Sequence, residues 1–585
     1  MSAAQKTPFD LPGLSLPLDY EPMRDNIVPF FANALDSDDI EGGFCGYIFT
    51  VRELNMMQIM EAVTDKPNWD TKIWNKAITD KWRSEILQGD LDVTEPMIDY
   101  IFRELEWKAS EYAKTGIVTA FDPGVVKSDS AIPQDLQEKL RAALKPLEEI
   151  SDEEKDYHPG SDMKVVDLVH PSLFPLVYGR TRVLRDKVIG IDNCFNSVGQ
   201  GTVIKVDKHK EPPRMTWRGL QRMNKYSERF QWLPCNVDFG PNGECQIVSY
   251  INNLHPARHK NLYRVIEQII TRTIPLWNVS LTWRGDLPRR IPYESVDYPS
   301  DEEPEPEYDG GEDYDERYEE WSKRRQPKHP EPCPFQPLQS GMNEPVDLRD
   351  QFRNKGLQVI VKLANIELTP DKPDYEGGAW HIEGQLNERI CATAIYYYDT
   401  ENITESTLSF RHRADTDYFQ DVNYEQEDFQ FLRIFGFDPD AGHDDYEQIT
   451  QDLGGVSCRM GRLLAFPNIL QHRVSPFSLA DRSKPGHRKI LALFLIDPSR
   501  RVISTANVPP QREDWCNDWA AATHDVLDSR MPVELQDLVY ENLEFPPMTM
   551  EEAKAYRVEL MAERSSKLES ENELFIRGGF SLCEH

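Results

Sequence analysis

At 585 residues the chain exceeds the size at which one hydrophobic core keeps growing, so two or three packed modules are expected. Its 66 Lys and Arg against 100 Asp and Glu leave a net charge of −34, which repels nucleic-acid phosphates and anionic membranes. Nine cysteines without a CxxC pair argue against a closed disulfide framework, and reduced thiols predict a cytosolic or nuclear protein.

The first 25 residues are Pro-rich, lack the apolar run of a signal peptide and are expected to lie extended on the surface. No later stretch approaches the ~20 apolar residues of a membrane helix. Thr50 and Glu53 have the spacing of a capping box, in which each side chain satisfies a free amide at a helix start. Leu54, Met57 and Ala62 then build an apolar stripe. Stretches 69–87 and 94–114 have the same helical period, with Gly116 stopping the second, and a third helix is expected over 134–150. Residues 1–155 therefore read as an N-terminal helical module. Residues 156–300 read as a mixed α/β region bracing the core. Within it, two strands flank the turn at 240–243, and an amphipathic helix over 261–273 leads into a strand at 274–278. Between 301 and 320 there are twelve acids and one Arg, so 301–345 is expected to be a disordered, Pro-rich insertion, with an acidic docking arm as the alternative. Strands are expected at 357–368, 390–398, 406–411, 462–466 and 489–496. Several are apolar at odd and even positions alike, as in sheets covered on both faces. They place the core at 346–500, with helices at 514–528, 532–541 and 550–566 wrapping it from 501–585.

The chemistry centres on His381 and Glu383. Two apart in an extended stretch, they point to one side, offering a nitrogen and an oxygen to one point. A histidine from a distant strand would complete the 2-His-1-carboxylate facial set of non-haem Fe(II) oxygenases, and His472 is the candidate. Zn²⁺ suits the same donors, but the missing fourth protein ligand favours chemistry over a structural role. Arg488 shares parity with Ile490, Ala492, Phe494 and Ile496, so it is read as a buried guanidinium in need of a carboxylate. Lys489 has the opposite parity. Thr393, Tyr397, Gln385 and Asn387 line the cavity with His381 if the strand is unbroken, and a bend at Gly384 would reverse that. Trp380 and Arg473 flank the ligands and are candidates to orient them or meet substrate. His412, His443 and His487 are reserve metal candidates. The bland readings stand beside these: a lone His is more often structural, an Arg at a strand end often pairs with a surface acid, and Met56, Met57 and Met60 suit core packing.

Gly461, an apolar run to Phe466, His472 with Val474 and Pro476, and Gly486 with Arg488 opening another apolar run form a pattern that resembles the prolyl-hydroxylase-like branch of the Fe(II)/2-oxoglutarate dioxygenases. The resemblance implies an α+β protein with a double-stranded β-helix (jelly-roll) core. It also implies His381, Glu383 and His472 as ligands of Fe(II), with Arg488, Thr393 and Tyr397 at the cosubstrate 2-oxoglutarate. The implied reaction couples O₂ and 2-oxoglutarate to oxidation of a C–H bond in a small-molecule or protein substrate. Glu383 stands where Asp is commoner in that superfamily, and the stretch from Pro476 to Gly486 is longer than expected. Segments 231–239, 249–256, 274–278, 380–393 and 396–400 also resemble a fungal family of large proteins with a domain of unknown function. Two alternatives keep the same residues: a non-catalytic interaction protein with a vestigial barrel, and a non-haem iron oxygenase that does not use 2-oxoglutarate.

Overall fold

The computed structural model describes residues 7–20, 31–35, 45–205, 226–282, 289–300, 303–311, 313–337, 345–424, 429–438, 447–515, 532, 535 and 547–578. Helix α1 (Val51–Thr64) starts on the expected capping box: Thr50 Oγ1 accepts from the Glu53 amide, and the Glu53 carboxylate accepts from the Thr50 amide. The expected helix over 69–87 is broken. A single turn, Trp69–Lys72, is followed by α2 (Lys76–Leu87), because the Asn75 side chain accepts from the amides of Ala77 and Ile78 and starts a new helix there. Helix α3 (Glu95–Thr115) is capped by Thr94 and ends at Gly116, whose φ of +67° is cheap only for glycine. Strands β1 (Val118–Phe121) and β2 (Val125–Ser128) form a hairpin within the span read as helical. Helix α4 (Gln134–Glu148) follows.

Beyond it run β3 (Val165–Val169), β4 (Cys235–Phe239), β5 (Cys245–Ile247) and helix α5 (Lys260–Leu281). The strand expected at 274–278 is instead helical. Ile274 and Trp277 continue the buried stripe of Ile266, Ile269 and Ile270, and that burial outweighs the backbone bond that Pro275 removes. The acidic insertion is also more ordered than expected. Helix α6 (Tyr314–Arg324) forms there, with Lys323 paired to Glu319 at 2.6 Å and Trp321 buried under Arg325.

The core strands are β6 (Leu357–Leu368), β7 (Ile390–Glu401), β8 (Thr407–Arg413), β9 (Thr450–Ser457), β10 (Leu463–Pro467), β11 (Gln471–Val474) and β12 (Gly486–Ile496). Helix α7 (Met550–Ile576) closes the described chain. The helices expected at 514–528 and 532–541 lie largely outside the described residues. The architecture is α+β with antiparallel sheets that do not close into one barrel among the described residues. A nine-stranded sheet has the order β1-β2-β10-β7-β12-β6-β4-β5, with β3 also paired to β6. A second sheet has the order β9-β8-β11.

Register divides the large sheet into two faces. Thr393 lies opposite Phe494 and Phe466, Ile395 opposite Ala492 and Leu464, and Tyr397 opposite Ile490. That inner face packs with Leu408, Phe410 and Val456 of the second sheet. The outer face carries Tyr396, Tyr398, Leu491, Leu493 and Leu495 against Leu140 and Leu144 of α4 and Ile266 and Ile270 of α5. Each such side chain contributes about 1.5–3 kcal/mol when fully buried, and a one-residue slip would exchange the two faces and misfit both cores. No helix among the described residues is long and apolar enough to cross a membrane.

Candidate metal centre

His381 and His472 lie directly opposite each other and exchange both backbone hydrogen bonds, at 3.1 and 3.0 Å. Their rings are 4.3 Å apart between centroids. Glu383 Oε1 sits 3.7 Å from His381 Nε2 and 3.4 Å from His472 Nε2. Three donors at about 2.1 Å and right angles around one ion would be about 3 Å apart, and here all three lie within 4.8 Å of one another, so they must draw together to hold a metal. His381 Nδ1 donates to the Ala379 carbonyl at 2.8 Å, which leaves the Nε2 lone pair facing the other two donors. The three side chains are 35%, 14% and 3% exposed for His381, Glu383 and His472, so the centre opens on the His381 side.

The protonation states suit a cation. Burial alone would raise Glu383, but hydrogen bonds and charge from His381 and His472 hold its carboxyl well below the usual range. Burial and the neighbouring His381 push His472 down, so it is neutral near pH 7. Burial alone would lower His381, but the Glu383 carboxylate beside it outweighs that and raises it above the usual imidazole value.

Local structure holds Glu383 in place. Asn468 accepts from the Glu383 amide at 3.1 Å and donates to its carbonyl at 3.0 Å and to Ile390's at 3.1 Å. The strand does not continue past Glu383. Gly384 has φ of +78°, and a Cβ there would meet Ile390 Cδ1 at 2.7 Å and Glu388 Oε2 at 2.8 Å. This turn removes Gln385 and Asn387 from the cavity set. Gln385 Oε1 accepts from Lys567 at 3.0 Å, and Asn387 bridges the Ser227 amide and the Phe230 carbonyl.

Thr393 and Tyr397 lie on the inner face, on the side of His472, whose ring is 4.7 Å from Phe466. Thr393 Oγ1 is buried without a hydrogen-bond partner among the described residues. Arg488 is 2% exposed. Its Nη1 donates to Ser406 Oγ at 3.2 Å, its guanidinium lies 4.9 Å from the Phe477 ring and 5.8 Å from Tyr397, and its Nε has no partner among the described residues. No carboxylate among the described residues pairs with it. Lys489 points the other way, to Glu148 at 2.9 Å. Cys458 Sγ donates to the Tyr397 hydroxyl at 3.1 Å, and burial keeps that phenol protonated. Trp380 points to the opposite side of the second sheet, between the guanidinium groups of Arg411 and Arg473 at 4.6 and 4.5 Å.

Of the reserve histidines, His412 is bonded to Gln451 at 3.2 Å, His487 is 3.3 Å from Asp399, and His443 lies outside the described residues. Ser406, Cys458 and Asn468 were missed in the sequence, where nothing marks a lone Ser, Cys or Asn. A second cluster joins His158, Asp167 and His170, the last two of which line a cavity of about 310 Å³. Burial alone would raise Asp167, but His170 and His158 hold its carboxyl down to about 2. The Ser172 amide donates to His170 Nδ1 at 3.2 Å, which puts the ring proton on Nε2, and Arg557 stands 3.7 Å from Asp167. That donor set suits an ion-paired hydrogen-bond cluster better than a metal.

Residues 95–519 match the family described as Protein of unknown function (DUF4246), and residues 11–85 match its N-terminal domain. The chain belongs to that family. No curated protein matches it.

Proposed function

We propose that this protein is an Fe(II)/2-oxoglutarate-dependent dioxygenase that oxidises a C–H bond of its substrate. The observation that carries the reading is the convergence of His381, Glu383 and His472 with open space on one side, a donor set that leaves coordination positions free. Strand order supports it. In chain order, β6, the His381 stretch, β7, β8, β9, β10, β11 and β12 fall to the large sheet, the second, the large, the second twice, the large, the second and the large. That alternation reads as a double-stranded β-helix. Arg488 is a buried cation on the inner face with an unused donor, which suits the distal carboxylate of 2-oxoglutarate, with Ser406 and Tyr397 beside it. Fe(II) bound there with 2-oxoglutarate would supply O₂ activation. The chain's own part is to hold the donors, orient the dicarboxylate and exclude water around it.

Anaerobic calorimetry tests the metal assignment. One Fe(II) per chain is expected to bind the wild type, His381→Ala and His472→Ala are expected to lose that binding, and Glu383→Asp is expected to weaken it. Unchanged affinity in both histidine variants would place the metal elsewhere.

A further inference from the structure

Helix α7 lies beyond the family match and runs to the outer flank of the ligand strands. Its Asn572 side chain bridges two residues that have no ligand role themselves. Nδ2 donates to the Trp380 carbonyl at 3.1 Å, and Oδ1 accepts from Gln471 Nε2 at 2.6 Å. Trp380 immediately precedes His381, and Gln471 immediately precedes His472. Because the two histidines lie directly opposite each other and both face Glu383, the preceding side chains point to the other side. Arg411 Nε donates to Gln471 Oε1 at 2.7 Å, and Arg411 and Arg473 clasp the Trp380 ring, so both ends of the bridge are held.

The helix is itself anchored at both ends of this contact. Ile449 donates to the Ile576 carbonyl at 2.9 Å, just past Asn572. On the other side, Arg564 pairs with Glu388, and Lys567 donates to Gln385 at 3.0 Å, in the turn that follows Glu383. Glu388 is fully buried and also accepts from the amides of Gln385 and Trp232, both at 2.7 Å. One helix face thus reaches the flanks of all three donors.

We infer that Asn572 is a positioning residue of the metal centre: its amide, using donor and acceptor together, fixes the separation of the His381 and His472 strands and so tunes the grip on the ion. The inference rests on reading His381, Glu383 and His472 as that centre. An aspartate at 572 keeps the shape and still accepts from Gln471, but it cannot donate to the Trp380 carbonyl.

The test uses the full chain and Co(II) as the probe, with dissociation constant and visible absorption envelope read for wild type, Asn572→Ala, Asn572→Asp and His381→Ala. Loss of a group bonded to a ligand itself costs about 10–100-fold in metal affinity, and Asn572 acts one residue removed. Both Asn572 variants are therefore expected to weaken Co(II) by about 10-fold, the low end of that range, and to alter the envelope. Asn572→Asp carries the comparison if the alanine variant folds poorly. Wild-type affinity and spectrum in both variants, even with a lowered melting temperature, would reduce Asn572 to a structural contact and overturn the inference. Wild-type Co(II) affinity in His381→Ala would instead overturn the metal centre itself, and the bridge with it.

Discussion

Arg488 is the residue whose environment most directly separates a functional role from a structural one. A guanidinium that is 2% exposed, with Ser406 as its hydrogen-bond partner and aromatic rings on its flanks, has paid for desolvation without a described counter-charge. Removing one partner of a buried charge pair costs about 3–5 kcal/mol, or a 10²–10³-fold or greater loss of binding. Arg488→Ala is therefore expected to raise the concentration of 2-oxoglutarate needed for its decarboxylation at least about 100-fold. Lys489→Ala, which loses contacts to Glu148 and Asp399 away from the Arg488 side, is expected to leave that concentration unchanged. The reverse pattern would transfer the role to Lys489. Parity along an apolar strand made Arg488 legible in the sequence. Its companions Ser406 and Cys458 were not, because they arrive from outside the run that carries Arg488, and no local pattern links them.

At the scale of elements, period and capping signals located most helices and core strands, and their failures have physical causes. The helix over 69–87 breaks where Asn75 caps a new start, a local bond that apolar periodicity does not register. The strand at 274–278 is helical because tertiary burial of Ile274 and Trp277 overrides the proline. Glu383 and His381 share a side as expected, but the extended stretch ends at Gly384, whose positive φ sends Gln385 and Asn387 elsewhere. The second sheet carries its own pH dependence. His412 on β8 is buried, and burial pushes its imidazole down to about 4. Its neighbour Gln451 on β9 also ties down the segment at Phe49, at 2.9 and 2.6 Å, and the Phe435 carbonyl at 2.8 Å. The folded value lies below the unfolded value of 6.5, so the unfolded chain binds the proton first. Stability is full above pH 6.5 and is lost as pH falls toward 4, by up to about 3 kcal/mol. Urea midpoints of His412→Gln should decline less steeply than those of wild type across that window. Parallel declines would show that other groups dominate acid unfolding.

Across the whole molecule, charge and fold point the same way. The chain carries 100 acids, yet none among the described residues pairs with Arg488, while Arg290, Arg462 and Arg557 each hold a carboxylate. Under the proposed function, Arg488 stays open on the inner face for the carboxylate of an incoming cosubstrate. Helices α4 and α5 cover the opposite face of the large sheet, and α7 braces the edge where His381 and His472 meet. Packed elements thus flank the three donors, and His381 is the most exposed of them.

The most direct test of the central claim is an anaerobic titration of 2-oxoglutarate into the Fe(II)-loaded full chain, followed by the charge-transfer absorption that a chelated keto acid produces on Fe(II). Wild type is predicted to give a saturable signal at one equivalent, with Arg488→Ala displaced to far higher concentration and His381→Ala silent. A wild-type protein that holds Fe(II) yet gives no such signal would contradict the use of 2-oxoglutarate.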